Sequence, residues 1–392
     1  MAMPQTIAAQ YVFTNTGNLI KNGAVTYDNA TGKILEIRQL TAETANTPYY
    51  NGVLVPGFVN AHCHLELSHL KGLIPPCKSL TEFLYSIHLL QHSQVFNYDD
   101  CFAADQAMYD AGINAVGDIS NTDNSAFVKS RSKIRYCNFI ELIGATEERI
   151  QLNRDTFHRV SKEFYYNNDN QVFAVPHSPY FVSDAQFDDI NALNSGNQSI
   201  ISIHNQETAA ENELYISHTG SFVDLFAPNV ANIKCTGKKS LPSYGHHLAG
   251  YDNVLLVHNT YSECDDFEYA LQTFRNPFFV LCPKSNLYLE GRLPDVMTMM
   301  SMHLNVCLGT DSLSSNDTLS ILEEMKVLTQ NFKQLSFENI LQMSTINGAK
   351  ALKLDHEFGT LQVGRKPGLL LLENFDFQEF NVCKETMVRR IC

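Results

Sequence analysis

The chain has 392 residues, of which 44% are hydrophobic and 18% are charged, and its formal net charge at pH 7 is −14. This composition is typical of a globular protein with one large domain or two modest ones, and it excludes a mainly disordered chain. The negative charge argues against nucleic acid as a partner, because nucleic acid is bound by basic patches.

The chain also lacks the patterns that place a protein in a membrane or outside the cell. It has no run of about eighteen apolar residues, so we expect no membrane partner. The start, MAMPQTIAAQYVF, has no basic region followed by a long apolar stretch, so we expect no signal peptide. The ten cysteines stand singly, with no CxxC pair. Such spacing is typical of reduced thiols and predicts a cytoplasmic protein.

The first part of the chain has the pattern of short strands. Runs such as GAVTYDNATGKILEIRQ and NGVLVPG are punctuated by the turn signals Asn22-Gly23, Thr31-Gly32 and Asn51-Gly52. This segment therefore predicts antiparallel β structure.

From Gly57 onward, short apolar strands alternate with helical patterns. The eight candidate strands are GFVNAHCH, INAVGD, RYCNFIE, VFAVPH, SIISIH, NVLLVH, FFVLCP and NVCLGTD. Helical patterns such as YDDCFAADQAMYDAG and DTLSILEEMKVLTQNF lie between them. Eight strands that alternate with helices predict an α/β fold, a (β/α)8 barrel of the TIM type. A doubly wound open sheet is the alternative, but no GxGxxG turn follows an early strand.

After TINGAKALKL the pattern returns to strands, in GTLQVGRKPGLLLLENF and TMVRRI. Strand patterns at both ends of the chain predict a small β-sandwich formed jointly by residues 1–54 and 359–392. The catalytic barrel is then expected to occupy residues 55–358.

Polar side chains stand at the carboxyl ends of the candidate strands, where the active site of such a barrel lies. They are His62, His64, Asp118, Glu141, His177, His204, His258 and Asp311. Core packing alone does not predict so many polar strand ends. For Asp118 a structural role is the preferred interpretation.

His62 and His64 are two residues apart at the end of a strand, so their side chains point the same way while Cys63 faces away. Two imidazoles at this spacing can hold one divalent ion. The alternative is a hydrogen-bonded pair of core histidines.

Two further strand ends carry groups that suit a metal site. His204 ends SIISIH, and Glu207 follows three residues later as a candidate general acid or base. Asp311 ends NVCLGTD after small residues that permit close approach. Taken alone, Glu207 is also explained as a solvated loop residue and Asp311 as a turn or helix-capping residue.

Six segments in this order resemble the amidohydrolase superfamily, in its deaminase and chlorohydrolase branch. They are PGFVNAHCHLELS, VPHSPY, SIHNQETAAENELY, LVHNTY, CPKSNLYLEGRLP and LGTDSLSSND. The tail, TINGAKALKLDHEFGTLQVGRKPG, is similar to the closing segment of that family, so the resemblance covers nearly the whole chain. It implies the barrel and the sandwich described above.

The resemblance also implies a mononuclear metal site with zinc, or alternatively iron. Its ligands are expected to be His62, His64, His204 and Asp311. A bridging carboxylated lysine is not expected, because the fourth strand ends in VPHSPY rather than in Lys. The metal is expected to supply hydroxide near neutral pH.

Catalytic roles are implied for three residues of the same set. Glu207 is expected to protonate a ring nitrogen of the substrate. Asp311 is expected to take the proton of the attacking water and pass it to the leaving amine. His258 is expected to orient that water, and His177 to contact the substrate.

Within this branch, HCHLELS followed by LTEFLYSI is most similar to the aminodeoxyfutalosine deaminases of menaquinone synthesis, which act on a 6-aminopurine nucleoside. The related adenosylhomocysteine and methylthioadenosine deaminases have a Trp-Leu pair followed by Pro-x-Glu. Here Phe83-Leu84 and Leu90-Gln91-His92 stand at those places. This difference counts against that subgroup. Phe83 and Glu141, which ends NFIE, are candidate substrate contacts, and Glu66 either lines the pocket or caps a loop.

Other functions share the same metal chemistry. They are deamination of another ring of the adenosine, guanine or cytosine type, and displacement of halide or amide from a ring. A non-catalytic scaffold is disfavoured because all four ligands and Glu207 are present.

Four smaller expectations concern the substrate, the surface and the assembly. A substrate carboxylate would need a cation, for which Arg149, Arg154 and Lys284 are candidates. His246 and His247 are expected to be exposed, and Met297–Met302 to form a core-facing helix. Members of the family often form homodimers, so a homodimer is a possible assembly.

Overall fold

The structure is a computed structural model that describes residues 3–17, 19–41, 47–76, 79–144, 146–167, 171–224 and 233–392. The strands of these ranges are β1 (Pro4–Val12), β2 (Ile20–Asp28), β3 (Ile34–Gln39), β4 (Tyr49–Pro56), β5 (Phe58–Cys63), β6 (Ile113–Ser120), β7 (Arg135–Leu142), β8 (Gln171–Pro176), β9 (Ile200–Asn205), β10 (Asn253–His258), β11 (Asn276–Leu281), β12 (Asn305–Leu308), β13 (Leu369–Glu373) and β14 (Met387–Arg390).

The helices of the same ranges are α1 (Leu80–Ser93), α2 (Tyr98–Asp110), α3 (Ala126–Arg131), α4 (Glu147–Asn167), α5 (Asp184–Leu193), α6 (Ala209–Ser217), α7 (Ser240–Tyr244), α8 (Cys264–Thr273), α9 (Pro283–Glu290), α10 (Val296–Ser301), α11 (Ile321–Asn331), α12 (Phe337–Ser344) and α13 (Ile346–Ala351). Short 3-10 helices lie at Leu65–Leu70, Pro179–Phe181 and Gly245–Leu248.

Eight strands form two parallel four-stranded sheets, in the orders β5-β6-β7-β8 and β12-β11-β10-β9. All eight predicted strands are present. Nearly every residue in them is buried, because helices follow the strands and cover the sheets. The α/β class predicted from the alternating pattern is therefore confirmed.

Backbone hydrogen bonds join the two sheets at both of their outer edges. On one side Thr310 and Asp311 donate their backbone N–H groups to the carbonyl oxygen of His62, at 2.9 and 3.1 Å. On the other side the backbone N–H of His204 donates to the carbonyl oxygen of His177, at 3.0 Å. The carboxyl ends of the strands consequently face one shared space.

The remaining described strands form a six-stranded sheet in the order β14-β13-β4-β1-β2-β3. As expected, the two ends of the chain meet in it, because β13 pairs with β4. The prediction of purely antiparallel structure near the N-terminus is wrong in one respect, since β1 and β4 run parallel. Strand β4 continues into β5 through Gly57, so this sheet leads directly into the first strand of the site.

Burial confirms the prediction that Met297–Met302 form a core-facing helix. Met299 on α10 is fully buried and its methionine neighbours pack partly buried against the core. None of the described helices is long and apolar enough to cross a membrane.

Candidate functional site

The histidines predicted at the strand ends converge, together with Asp311, in the space that the two sheets share. His62 and His64 come from the end of β5, His204 from β9, and His258 from the end of β10. All five side chains are buried. The ring centroids of His62 and His204 are 4.9 Å apart, although the two residues come from different sheets.

Three atoms of this cluster lie at separations that suit one metal ion. His62 Nε2 lies 3.1 Å from His64 Nε2, and Asp311 Oδ1 lies 3.4 Å from His64 Nε2 and 3.8 Å from His62 Nε2. A ligand atom of His204 lies within 4.8 Å of those of both histidines. Ligand atoms around a tetrahedral zinc ion are roughly 3.3 Å apart, given bond lengths of about 2.0 Å.

The chemistry of these donors also fits a divalent cation. His62 Nδ1 and His204 Nε2 are buried nitrogen atoms that have no hydrogen-bond partner among the described residues. Burial, aided by the neighbouring imidazoles, lowers the pKa of His62 and of His204 well below the ordinary value. Both imidazoles are therefore neutral near pH 7, which is the form that binds metals. The cluster can hold a divalent metal.

Asp311 is held in a strained conformation by its neighbours. Its φ is 58°, and Gly309 precedes it at a place where a side chain would collide with His62. The hydroxyls of Ser285 and Ser315 donate to Asp311 Oδ2, at 2.7 and 2.6 Å. Burial raises the pKa of Asp311, but the nearby imidazoles and the Ser315 hydroxyl outweigh it and bring the pKa to about 2. This carboxylate is ionised at neutral pH.

The pKa of Glu207 is shifted in the opposite direction to that of Asp311. Its carboxylate oxygens lie 3.5 Å from His258 Nε2 and 3.5 Å from His204 Nδ1, and the side chain is buried. Burial raises the pKa of Glu207 above the ordinary value. A raised pKa favours the protonated form of a carboxyl group, which is the form that a general acid uses.

His258 connects the acid to the metal-fitting cluster. Its Nε2 lies 3.0 Å from His204 Nδ1, and its Nδ1 lies 3.3 Å from Asn286 Oδ1. The backbone at His258 has a φ of 76°. This left-handed conformation turns the chain at the end of β10, so that the imidazole stays buried beside Glu207.

Glu141 and His177 form a buried pair beside His204. His177 Nδ1 lies 2.7 Å from Glu141 Oε1, and the Asn121 amide donates to Glu141 Oε2 at 2.9 Å. Burial opposes both charges, but the attraction of the pair prevails, so the pKa of Glu141 is lowered and that of His177 is raised. A ring centroid distance of 4.7 Å places His177 against His204, and its role as a substrate contact stays a prediction.

Glu66 and Phe83 lie at the edge of this region. The Glu66 carboxylate accepts the backbone N–H groups of Asn121 and Thr122, at 3.0 and 3.1 Å, in the loop after β6. Burial raises the pKa of Glu66 to about 7. Phe83 is buried in a separate apolar cluster that also contains Tyr180. Their roles as substrate contacts stay predictions.

Asp118 has the structural role expected of it. Its Oδ2 lies 2.6 Å from the ammonium nitrogen of Lys129, and neither side chain is exposed. Asp118 Oδ1 accepts the backbone N–H of Leu65 at 2.8 Å. The buried ion pair therefore supports the turn that follows His64.

The other singled-out residues lie outside the cluster. His246 is exposed as predicted. The prediction is wrong for His247, whose side chain is only 11% exposed, because its ring stacks on Phe187 at a centroid distance of 4.6 Å. Arg154 pairs with Asp189, and Lys284 with Asp317. Arg149 donates from Nε to the carbonyl oxygen of Ile143, and no described carboxylate pairs with it.

Sequence reasoning missed the residues that hold the site in place. Ser285 and Asn286, which contact Asp311 and His258, lie in the segment CPKSN that the family resemblance singled out without a role. Glu211, whose carboxylate binds the backbone of Glu207, and Ser315 likewise stand in family-like segments, SIHNQETAAENELY and LGTDSLSSND, without a role. A polar residue at the end of an apolar run is visible in the sequence, but the residue that supports it has no fixed spacing.

Known proteins match this chain over almost its entire length. The family model described as "Amidohydrolase family" matches residues 53–389. An adenosine deaminase of Helicobacter pylori is 27% identical over 96% of this chain and 93% of its own. A 5-methylthioadenosine/S-adenosylhomocysteine deaminase of Saccharophagus degradans is 26% identical, over 93% of this chain and 81% of its own.

A solved structure shares the fold. The aminofutalosine deaminase of Helicobacter pylori, crystallised in complex with methylthio-coformycin, superposes with a TM-score of 0.80 at 24% identity, over 94% of this chain and 92% of that chain. The family match spans both parallel sheets and every strand end of the cluster. The chain belongs to the amidohydrolase family and, with its deaminase relatives, is a hydrolase that acts on carbon–nitrogen bonds.

Proposed function

We propose that this protein hydrolytically deaminates a 6-aminopurine nucleoside, converting the ring amine and water into a ring carbonyl and ammonia. One observation carries the proposal. A buried carboxyl group with a raised pKa, Glu207, lies 3.5 Å from two imidazoles of a cluster that fits a metal ion. The cluster thus combines a proton donor with the donor set of a hydrolytic metal.

We propose His62, His64, His204 and Asp311 as the ligands of one divalent metal, zinc or alternatively iron. When bound, such a metal lowers the pKa of a water ligand from 15.7 to about 7 and so makes a nucleophile available at neutral pH. The buried His204 Nε2, which has no hydrogen-bond partner among the described residues, and the close approach of His62 Nε2 to His64 Nε2 support this assignment.

The chain's own residues then move the protons. Glu207 donates its proton to a ring nitrogen, which makes the neighbouring carbon more electrophilic. Asp311, ionised because its pKa is about 2, accepts the proton of the attacking water and delivers it to the leaving amine. His258 donates a hydrogen bond that orients the water, and His177 contacts the substrate.

For the nucleoside itself we propose aminodeoxyfutalosine, which places the protein in menaquinone synthesis. The segment HCHLELS followed by LTEFLYSI supports this choice, and the Helicobacter pylori aminofutalosine deaminase has the same fold. Phe83 lies in an apolar cluster with Phe222 and with Tyr180, which belongs to the 3-10 helix that follows β8. We propose that this cluster, with Glu66 and Glu141, borders the substrate site.

A carboxylate on such a substrate needs a cation, and Arg149 is the best candidate of the three predicted from sequence. Arg154 and Lys284 already pair with aspartates, whereas Arg149 has no carboxylate partner among the described residues. The loop that leads to Arg149 is bonded to the substrate side, since Gly144 donates its N–H to the carbonyl oxygen of Phe181 at 3.0 Å. The Phe181 ring lies 5.6 Å from that of His177.

We further propose that the two parallel sheets close into a (β/α)8 barrel of residues 55–358, and that residues 1–54 and 359–392 complete a sandwich. The backbone bonds at both sheet edges support the barrel. The nine described cysteines are free thiols, which is consistent with the proposed cytoplasmic location. A homodimer is the proposed assembly.

The first test is ammonia release by the metal-loaded protein with a panel of substrates. Aminodeoxyfutalosine, adenosine, adenosylhomocysteine, methylthioadenosine and guanine are compared at equal concentration. We expect aminodeoxyfutalosine to be turned over fastest. Faster turnover of another substrate in the panel would leave the proposed mechanism in place and change the proposed pathway. If the metal-loaded protein released no ammonia from any of them, the nucleoside assignment would be overturned.

Two substitutions test the proposed roles. Glu207→Gln is expected to lower kcat by roughly a thousandfold, within the range for general acids, while bound metal stays unchanged. Unchanged turnover in Glu207→Gln would remove Glu207 from the mechanism.

Arg149→Gln is expected to raise KM for the carboxylate-bearing substrate alone, with Arg154→Gln as its matched control.

A further inference from the structure

We propose that Glu211 is a positioning residue that holds the catalytic Glu207 in place through the backbone. This inference rests on the proposed function of Glu207. The side chain of Glu211 is fully buried, in the first turn of α6. Its two carboxylate oxygens accept the backbone N–H groups of Gln206 and Glu207, at 2.9 and 3.2 Å.

The two hydrogen bonds that Glu211 accepts differ from those of a helix cap. The residue that precedes α6 is Thr208, and a capping box would join the Glu211 side chain to the backbone N–H of Thr208. The carboxylate of Glu211 reaches past it, to the two residues before the helix. It therefore binds the loop that carries Glu207 rather than the helix end.

The loop needs such support because its backbone is strained. Gln206 has a φ of 44°, a left-handed conformation that costs about 1 kcal/mol or more for a residue with a side chain. Strained residues at functional sites persist only where their surroundings over-determine them. Glu211 supplies two hydrogen bonds to this short segment, and both are shielded from water.

The same loop is bonded to the loop that carries His258. Gln206 Oε1 accepts from the Ser262 hydroxyl at 2.6 Å, and the Gln206 carbonyl oxygen accepts from the backbone N–H of Tyr261 at 2.9 Å. Asn205 Nδ2 donates to Asn259 Oδ1 at 3.0 Å. Glu211 therefore anchors a unit in which Glu207 and His258 keep a fixed separation.

Glu211→Gln tests the proposal, because the amide keeps the shape but offers one oxygen and places an NH2 group against a backbone N–H. We expect kcat per bound metal to fall between about tenfold and a hundredfold, as for a misplaced catalytic group, with KM changed less than about twofold. Glu213→Gln, an exposed position on the same helix, is the matched control and should leave kcat unchanged.

A double substitution separates positioning from a general structural effect. If Glu211 acts through Glu207, adding Glu211→Gln to Glu207→Gln should lower the residual kcat by less than about twofold. A further tenfold loss in the double variant, or an unchanged kcat in Glu211→Gln, would overturn the inference. Unchanged turnover in Glu207→Gln would instead overturn the proposed function.

If the Glu211→Gln variant does not fold, the Ser262→Ala variant tests the same proposal. This change removes the hydrogen bond to the Gln206 side chain from the opposite loop and leaves the Glu211 carboxylate untouched. We expect a smaller fall in kcat, of a few-fold, with KM and bound metal unchanged. An unchanged kcat in Ser262→Ala would contradict the coupling of the two loops.

Discussion

The two parallel sheets contribute similar numbers of side chains to the candidate site, but they hold them differently. In the sheet β5–β8 the polar groups are fixed by charge pairs, Asp118 with Lys129 and Glu141 with His177. In the sheet β9–β12 the backbone itself is bent, with positive φ at Gln206, His258, Asn259 and Asp311. Among the described residues, no non-glycine residue just after β5–β8 has a positive φ.

The difference between the two sheets corresponds to the roles of their residues in the proposed reaction. The bent strand ends carry Glu207, His258 and Asp311, which would move or orient protons. Such groups must approach one reacting centre from several strands, and the left-handed residues turn the backbone where these strands end. The left-handed residues achieve this at a cost of about 1 kcal/mol or more each, which surrounding hydrogen bonds offset.

The largest expected effect concerns the proposed metal, whose proposed ligands come from both sheets. His64→Ala removes a proposed ligand from the first sheet and Asp311→Ala removes one from the second. Both should lose bound metal and lower kcat/KM by roughly a thousandfold or more, because the low pKa of a metal's water ligand is lost. Metal content by elemental analysis, alongside activity, tests this. Full metal occupancy in either variant would remove the substituted residue from the proposed ligand set.

Lys129→Met should break the charge pairing of the first sheet. The substitution leaves Asp118 as a buried charge without its partner, which typically costs about 3–5 kcal/mol of unfolding free energy. Chemical denaturation measures the loss, and Lys162→Met, at an exposed position on α4, is the control. A loss no larger than that of the control would mean that the pair does not support the turn after His64.

The second sheet should show a pH dependence through Glu324 on α11. Its carboxylate is fully buried and accepts the Lys284 backbone N–H and the Asn316 amide, both at 2.8 Å. Burial raises the pKa of Glu324 to about 8 from an ordinary value of 4.5. Between these two values the folded state binds the proton more tightly than the unfolded state, so the contribution of Glu324 to stability falls as the pH rises.

Against Glu324→Gln, which does not titrate, the wild type should therefore lose about 1 kcal/mol of unfolding free energy per pH unit within that window. Denaturant melts at several pH values between 5 and 8 measure the difference, with the exposed Glu338→Gln as the control. A difference that does not change with pH would contradict the prediction.

The smallest expected effect is a difference in unfolding free energy between two variants, one at a residue with a positive φ in the site and one at such a residue elsewhere. His303, exposed before β12, also has a positive φ of 54°. Glycine there relieves the strain but loses more entropy on folding, so His303→Gly should stay within about 1 kcal/mol of the wild type. Gln206→Gly also removes the side-chain hydrogen bonds to Ser262 and Asn212. It should therefore be less stable than His303→Gly by about 1 kcal/mol for each hydrogen bond lost. Equal stability of the two variants would contradict this.

The sequence by itself determined the parallel strands and the residues at their ends. Strand patterning is local, and an apolar run that stops at His62, His204 or Asp311 indicates both a buried strand and a polar terminus. The spacing of His62 and His64 fixes that they share one face, because side chains alternate along a strand. These features needed no information from distant parts of the chain.

Only the tertiary structure decided how the site is supported. Ser285 reaches Asp311 from 26 residues away, and Lys129 crosses the core to Asp118. Even Glu211, which stands in the family-like segment SIHNQETAAENELY four residues from Glu207, had no role assigned, since an acidic residue in a first helical turn is common on any exposed helix. Burial turns that ordinary residue into a bidentate acceptor, and burial depends on which other segments of the chain cover it.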